Sequence, residues 1–496
     1  MARRSAVLSL TLAPRPAGTP AGQWLYQSLR SEILDGRLRA GSRLPSTRDL
    51  AKQYQLSRGT VVGAFEQLRS EGYVEGTVGS GTYVARTLPD ELLGLKGPVV
   101  RRSPAPHRHL RPRPLSGFGR QVSLFPAPRP RPLRAFRANQ PALDLFPTTL
   151  WAQVAGRRLR QASTGQLLGC APMGYRPLRE AVADYVSASR GVKCSSDQIA
   201  IVSGVQEATH LAARLFLDPG DRVAMENPGY IGAALLFQAL GATVVSIPLD
   251  QDGMKLRPSL LRDVRLVYLT PSHQYPLGIT MSLARRLELL EWARQSGAMI
   301  FEDDYDGEYR FTGRPIPSLQ GLDRNGQVLF AGSFNKVLFP SLRLGYLIVP
   351  PDLVDRVAAA ISITARHAPL LEQAILADFI TAGHFGRHLR RMREVYAERL
   401  SVLLDESRRQ LDGVLEVSGI EAGLQTVGWL NSGMNPDAVV DAAAARDVEV
   451  LPLSRFTWGR LARPGLQIGF AAVDVPEIRR GVRDLAAVLE TLPLPA

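Results

Sequence analysis

Cysteine is nearly missing from the 496-residue chain: only Cys170 and Cys194 occur. They form neither a CxxC pair nor a metal-ligand spacing, which argues against a disulfide framework and a cysteine metal centre; no metal is expected, and a reducing cytoplasm suits the chain. Long apolar runs are also missing, and nothing approaches the roughly 20 residues that cross a bilayer. The N-terminal MARRSAVLSLTLAPRPAG is broken by polar residues and Pro14 before it makes a signal-peptide core. No membrane partner is expected. Acidic residues are scarce in one place only. Residues 1–140 hold 8 Asp+Glu against 23 Lys+Arg, whereas the remainder holds 38 against 37. A cationic end joined to a nearly neutral body points to nucleic acid as a partner of the first part. At roughly 150 residues per domain, a chain of this length predicts two or more folding units.

Within the cationic end, Leu25, Leu29, Ile33 and Leu34 make an apolar stripe at helical spacing, ended by Gly36. A second helix can start at Ser46, an N-cap with Asp49 three residues on, and a third at Ser57, with Val61, Phe65 and Leu68 inward. GYVEGTVGSGTYVA then alternates and turns at glycines, which predicts a two-stranded ribbon. Three helices and a hairpin outline a winged helix-turn-helix, whose third helix enters the major groove of double-stranded DNA. Ser57, Arg58 and Thr60 then stand at the reading end, Arg43 and Arg48 brace phosphates, and Gly81 and Thr82 lie near the wing tip.

Residues 86–140 change character, with 10 prolines and 12 Lys+Arg against 2 acidic residues in 55 positions. Too little apolar surface is available to offset ordering entropy, so a semi-rigid tether is expected. Its arginines either add phosphate contacts or act as solvated spacing.

Beyond it, QIAIVS, RVAMEN, ATVVSIP, RLVYLT, AMIFEDD, QVLFAGS and LGYLIV alternate with helical patterns such as SLARRLELLEWARQSG. That alternation predicts an α/β domain with a mostly parallel sheet and ligands at the carboxyl ends of its strands. QIAIVS runs into SGVQEATH, a Ser-Gly turn opening a helix, where free N–H groups favour a phosphate. AMIFED leads to DDYDGEY and QVLFAG to SFNK, with Arg343 following. A lysine for a Schiff base, an acid for a pyridinium nitrogen and a phosphate cradle meet the demands of pyridoxal phosphate.

Two stretches carry a family resemblance. LPSTRDLA, SRGTV and GSGTYV resemble, in order and spacing, the DNA-binding domain of GntR-type bacterial regulators. That resemblance implies Arg43, Ser46, Arg48, Arg58, Thr60, Gly81 and Thr82 as DNA contacts. GYRPLREAVADYV, ENPGY, TPSHQYPLG, EDDYDGEYR and GSFNKVLFPSLRLGY resemble fold-type I aminotransferases, and most of all the version fused to a GntR reader in MocR-type regulators. The resemblance implies Lys336 as the Schiff-base lysine, Asp303 on the pyridine nitrogen, Tyr305 on the phenolic oxygen and Tyr230 over the ring. It places Ser203, Gly204, Val205, Ser333 and Arg343 around the phosphate. The expected layout is a tail over 1–21, a reader over 22–85, a linker over 86–140 and an aminotransferase-like domain over 141–496, with a smaller α+β subdomain from about 385. A homodimer, head-to-tail, reading repeated half-sites is implied too.

The pattern departs from aminotransferases in two places. Tyr275 of YPLG stands where they carry an asparagine, as is usual in MocR-type chains, and Gln467 of GLQIGF stands where an arginine grips the substrate carboxylate. Arg455 and Arg463 are the candidates to replace that arginine. The expected function is a transcription regulator that senses pyridoxal phosphate, an amine or an amino acid. The alternatives are an aminotransferase with an appended reader, or a purely structural DNA-bridging protein.

Overall fold

The second and third helices of the reader begin where their predicted capping serines lie, whereas the first starts after Pro20 with no side-chain cap. The structure, a computed structural model, describes residues 10–77, 81–88, 113–122, 132–312, 317–459 and 461–492. Helix α1 (Ala21–Leu34) buries Trp24, Leu25, Leu29 and Ile33. Ahead of α2 (Thr47–Gln53), Ser46 Oγ accepts the Asp49 N–H at 3.2 Å, and ahead of α3 (Arg58–Ser70), Ser57 Oγ accepts that of Thr60 at 3.1 Å. These bonds satisfy donors that the first turn leaves free. Strands β1 (Val74–Thr77) and β2 (Gly81–Val84) pair antiparallel; the wing tip, 78–80, lies outside the described residues.

The expected N-terminal tail is in part core. Leu10 and Leu12 are 5% and 7% exposed, Tyr54 Oη donates to the Leu10 carbonyl, and Trp24 Nε1 donates to the Ala13 carbonyl at 3.1 Å. Leu10 and Leu12 thereby join the buried cluster that holds Trp24, Leu25 and Leu50.

The chain divides into two compact units between Arg113 and Pro114. In the second, all seven apolar runs are strands: β3 (Ile199–Val202), β4 (Arg222–Asn227), β5 (Thr243–Asp250), β7 (Val264–Leu269), β8 (Met299–Asp304), β9 (Val328–Ser333) and β10 (Gly345–Ile348). A short β6 (Gly253–Met254) closes the edge, giving the order β3-β10-β9-β8-β7-β4-β5-β6. From β9 to β5 neighbours are parallel, whereas β10 is antiparallel to both β3 and β9. Crossover helices include α7 (Val205–Phe216), α8 (Ile231–Ala239) and α9 (Leu283–Ser296), preceded in the chain by α4 (Gly117–Gln121), α5 (Thr148–Arg160) and α6 (Arg176–Arg190). After α10 (Val354–Thr364), α11 (Leu370–Thr381) and α12 (His384–Gln410), a second, antiparallel sheet forms. Its strands β11 (Leu415–Val417), β12 (Gln425–Leu430), β13 (Leu451–Pro452) and β14 (Gly465–Gly469) lie in the order β11-β12-β14-β13, with α13 (Pro436–Ala444) and α14 (Val475–Thr491) completing the layer.

The last residues assigned to the linker are built into this unit. Ala135 and Phe136 are 0% and 1% exposed, and their carbonyls accept the N–H groups of Glu449 and Gly469, each at 2.9 Å. A window dominated by proline and arginine hid two apolar residues that the sheet needed. Most of the linker, 89–112 and 123–131, lies outside the described residues.

Candidate functional site: a cofactor cavity and a DNA reader

Parallel strands bring their carboxyl ends to one edge of the sheet, and there β8 and β9 deliver Asp303, Tyr305, Ser333 and Lys336 to a cavity of about 880 Å³. Gly204, Val205, Tyr230, Tyr275 and Arg343 line it as well. Lys336 Nζ donates to the Asn139 carbonyl at 2.8 Å. The residue is half-buried because its amine faces the cavity, and the surrounding protein desolvates that amine. Burial holds its pKa down at about 8, against the raising pull of Asp306 and Asp303. At neutral pH roughly a tenth of such amines are uncharged and nucleophilic, against well under a thousandth for an ordinary lysine.

Asp303 is 5% exposed, and burial pushes its carboxyl up to about 7. Tyr268 Oη donates to Oδ2 at 2.5 Å, while Oδ1 is buried with no partner. An orphaned carboxylate oxygen in an apolar site awaits a donor. A pyridinium N–H is such a donor.

The phosphate end is as specific. Gly204 has φ +133°, and a Cβ there would sit 3.0 Å from Asn335 Nδ2 and 3.9 Å from a guanidinium nitrogen of Arg343. The hollow beside Gly204 opens at the N-terminus of the 12-residue α7, where N–H groups are unpaired. Arg343 itself is left-handed, at φ 51° and ψ 45°, which turns its side chain back toward that hollow. Asn335 ties the two pieces together: its N–H donates to Ser333 Oγ at 3.2 Å and its Oδ1 accepts the Leu344 N–H at 3.1 Å. Ser203 is set back. Its N–H donates to Glu207 Oε2 at 2.5 Å, and it does not line the cavity.

Tyrosines crowd the remaining wall. Tyr230 Oη donates to Gln206 Oε1 at 3.3 Å, and its ring meets Tyr275 edge-on, 5.9 Å between centroids. Tyr275 Oη accepts from Asn139 Nδ2 at 3.0 Å and donates to Gln467 Oε1 at 3.4 Å. Gln467 is fully buried behind Tyr275, and its Nε2 has no partner. Of the two substitutes for the missing arginine, Arg455 lines the cavity, whereas Arg463 is bound to Glu416 Oε2 at 2.6 Å and to the Leu430 carbonyl at 3.1 Å, away from it. Sequence reasoning missed Asn139, Asn335 and His273. Asn335 was legible as the third residue of SFNK; Asn139 was lost inside the presumed linker.

In the reader, Arg43, Arg48 and Arg58 are exposed, and Thr60 is half-buried one turn into α3. Arg43 folds over the wing: a Cβ on Gly81, at φ +116°, would meet its Nε at 2.8 Å. Thr82 accepts the Leu44 N–H through its carbonyl at 2.8 Å, which holds the hairpin against the segment before α2.

An orphaned acid, a desolvated lysine, a glycine-lined anion hollow and an arginine on one sheet edge fit pyridoxal phosphate, and with the winged reader they define a class: a DNA-binding unit joined to an aminotransferase-like cofactor unit. Comparison with known proteins agrees in both parts. Residues 22–84 match the bacterial regulatory proteins of the gntR family, and residues 135–485 match aminotransferase class I and II. The chain is 40% identical over 479 residues to the probable rhizopine catabolism regulatory protein MocR of Rhizobium meliloti, covering 96% of this chain and 95% of that one. It is 30% identical over 455 residues to the HTH-type pyridoxine biosynthesis transcriptional regulator PdxR of Corynebacterium glutamicum, covering 92% and 93%. Among solved structures, a kynurenine aminotransferase of Pyrococcus horikoshii in complex with PMP shares 27% identity at a TM-score of 0.67, over 73% of this chain and 91% of that one. The α-aminoadipate aminotransferase LysN of Thermus thermophilus shares 29% at 0.66, over 72% and 91%. The chain belongs to the MocR-type transcription regulators of the gntR family, with a pyridoxal phosphate-binding, aminotransferase-like domain. Among the described residues, no helix is long and apolar enough to cross a membrane.

Proposed function

We propose that the cavity is a sensor: its occupancy by pyridoxal phosphate, or by that cofactor together with a small amine or amino acid, sets how the reader engages DNA. The observation that carries this is the convergence of the Lys336 amine, the orphaned Asp303 Oδ1 and the hollow at Gly204 on one cavity. Its volume of about 880 Å³ is at the upper end of the ~300–1,000 Å³ usual for small-molecule sites, which leaves room beside the cofactor. When bound, the cofactor supplies an electrophilic aldehyde on an electron-withdrawing pyridine ring. Lys336 would present its uncharged amine to that aldehyde, and Asp303 Oδ1 would keep a proton on the ring nitrogen. The N–H groups at Gly204 and Val205, with Ser333 and Arg343, would hold the phosphate, and Tyr230 and Tyr305 would contact the ring and its phenolic oxygen.

An effector shifts an equilibrium between arrangements only through unequal affinity for them. The relatives' names fit such a role: one regulates rhizopine catabolism and another pyridoxine biosynthesis. Two copies, head-to-tail, would present paired readers to repeated half-sites in the cytoplasm, on the nucleoid when bound. Leu159, Leu167, Leu168 and Ile363 of the C-terminal unit, 52–86% exposed, offer apolar surface to a second copy. Affinity and footprint on operator DNA, measured for cofactor-free, cofactor-loaded and amine-treated protein, test the switch: three identical results overturn it. A second reading, a working aminotransferase, draws on the complete cofactor set. The neutral, buried Gln467 disfavours it, and multiple-turnover release of keto acid from common amino acids would restore it.

A further inference from the structure

Behind Tyr305 lies a buried pair that none of the roles above uses. His273 Nδ1 is 3.0 Å from both carboxylate oxygens of Asp306 and 3.0 Å from Tyr305 Oη. The side chains of His273 and Asp306 are 1% and 0% exposed. Two loops are shaped around the imidazole. Gly278 at φ +79° and Gly423 at φ +100° flank it, and a Cβ on Gly423 would overlap the ring. Asp306 Oδ2 also accepts the Leu424 N–H at 3.3 Å, so the pair is fastened to the second sheet layer.

The geometry fixes the proton. A bare Nδ1 would aim its lone pair at three oxygens, two of them on a carboxylate that only accepts. Nδ1 therefore carries hydrogen, shared between Asp306 and Tyr305 Oη. Gln425 Nε2 donates to the same hydroxyl at 3.4 Å. With two donors on its oxygen, Tyr305 has its own proton left to give, and the direction free of both donors is the cavity that it lines. The groups that bear on this hydroxyl electrostatically are Asp306, Tyr275 and Asp303. We propose that His273, held by Asp306, is a positioning residue that presets Tyr305 as a hydrogen-bond donor to the phenolic oxygen of the bound cofactor. This deepens the cofactor-site reading and rests on it.

The test is the pH midpoint of the visible band of full-length protein reconstituted with pyridoxal phosphate. An oxygen that loses a donor holds a neighbouring proton more tightly, so the midpoint rises. His273→Leu should raise it by about one pH unit or more. Tyr305→Phe should move it the same way, and the double variant should add nothing further. Asp306→Asn removes a charge that itself holds the midpoint up, so the readout is the shift produced by Tyr305→Phe in that background: it should be smaller than in the wild type, and no volume is removed, which keeps the test open should His273→Leu fail to fold. His273→Asn, which retains a side-chain N–H, should restore part of the wild-type value. A wild-type midpoint in His273→Leu, a Tyr305→Phe shift of full size in the Asp306→Asn background, or additive shifts of His273→Leu with Tyr305→Phe, overturns the proposal. Absence of any visible band in the unmodified protein would instead overturn the cofactor reading, and this inference with it.

Discussion

Lys336 and Asp303 are ordinary residue types made reactive by where the sheet puts them. Each is charged at neutral pH in the unfolded chain, and burial opposes that charge in the folded one. The consequences for stability have opposite signs. The folded pKa of Asp303, raised to about 7 from 3.8, means that the folded state binds more protons through that window, so stability falls as pH rises across it. The folded pKa of Lys336, lowered to about 8 from 10.5, means that the unfolded state binds more protons between those values, so stability rises with pH there. Cofactor-free protein should accordingly show a stability minimum between about pH 7 and 8, on the order of a few kcal/mol deep, with the mutual attraction of the two charges already contained in the two shifts. Lys336→Met should flatten the alkaline limb in thermal melts taken across pH. Asp303→Asn should flatten only part of the acid limb, because burial also pushes Glu226 and Glu308 up to about 7. An unchanged alkaline limb in the first variant would show that the Lys336 amine is not desolvated.

At the scale of elements, the parts legible in the sequence were those with local signatures. Ser46 and Ser57 marked two helix starts because capping chemistry is read within four residues, and seven apolar runs marked seven strands. Strand direction was not legible in the same way: LGYLIV reads like its neighbours, yet β10 runs antiparallel to both of them. Nor was the reach of residues 134–140. Asn139, at φ 63°, gives its carbonyl to Lys336, its N–H to Gln425 Oε1 at 2.9 Å and its Nδ2 to Tyr275, a convergence across hundreds of residues that no local pattern encodes. Short α4, from the same expected linker, lies alongside α8, the helix that begins just after Tyr230. Two pieces of the tether thus adjoin elements of the cavity. The turn between β3 and α7 gives the sharpest element-level prediction. Gly204→Ala places a Cβ against Asn335 at a backbone angle that L side chains rarely adopt, in the space assigned to phosphate. Cofactor affinity, read by titrating the visible band, should fall at least roughly tenfold, about 1.4 kcal/mol, with the fold intact by circular dichroism. Undiminished affinity would move the phosphate away from α7.

For the whole molecule, the charge division predicts that DNA binding and cofactor binding can be broken separately. The first 140 residues carry 23 Lys+Arg against 8 Asp+Glu, and the boundary between compact units falls at Arg113. Non-specific DNA affinity is mostly counterion release, so it depends on these cations and weakens with salt. Arg58, exposed at the start of α3, adds specificity only if it reaches a base edge. Arg58→Ala should then weaken operator binding by about 1–3 kcal/mol and leave the visible band unchanged. Were Arg58 a phosphate contact instead, the loss would be nearly equal on operator and random DNA, with a salt dependence shallower by about one ion. Lys336→Ala should do the converse: borohydride leaves no cofactor mass on the peptide spanning position 336, while affinity for random DNA stays within about twofold, since the cationic end is untouched. Loss of the band in Arg58→Ala, or loss of non-specific DNA binding in Lys336→Ala, would mean that the two units fold or function only together.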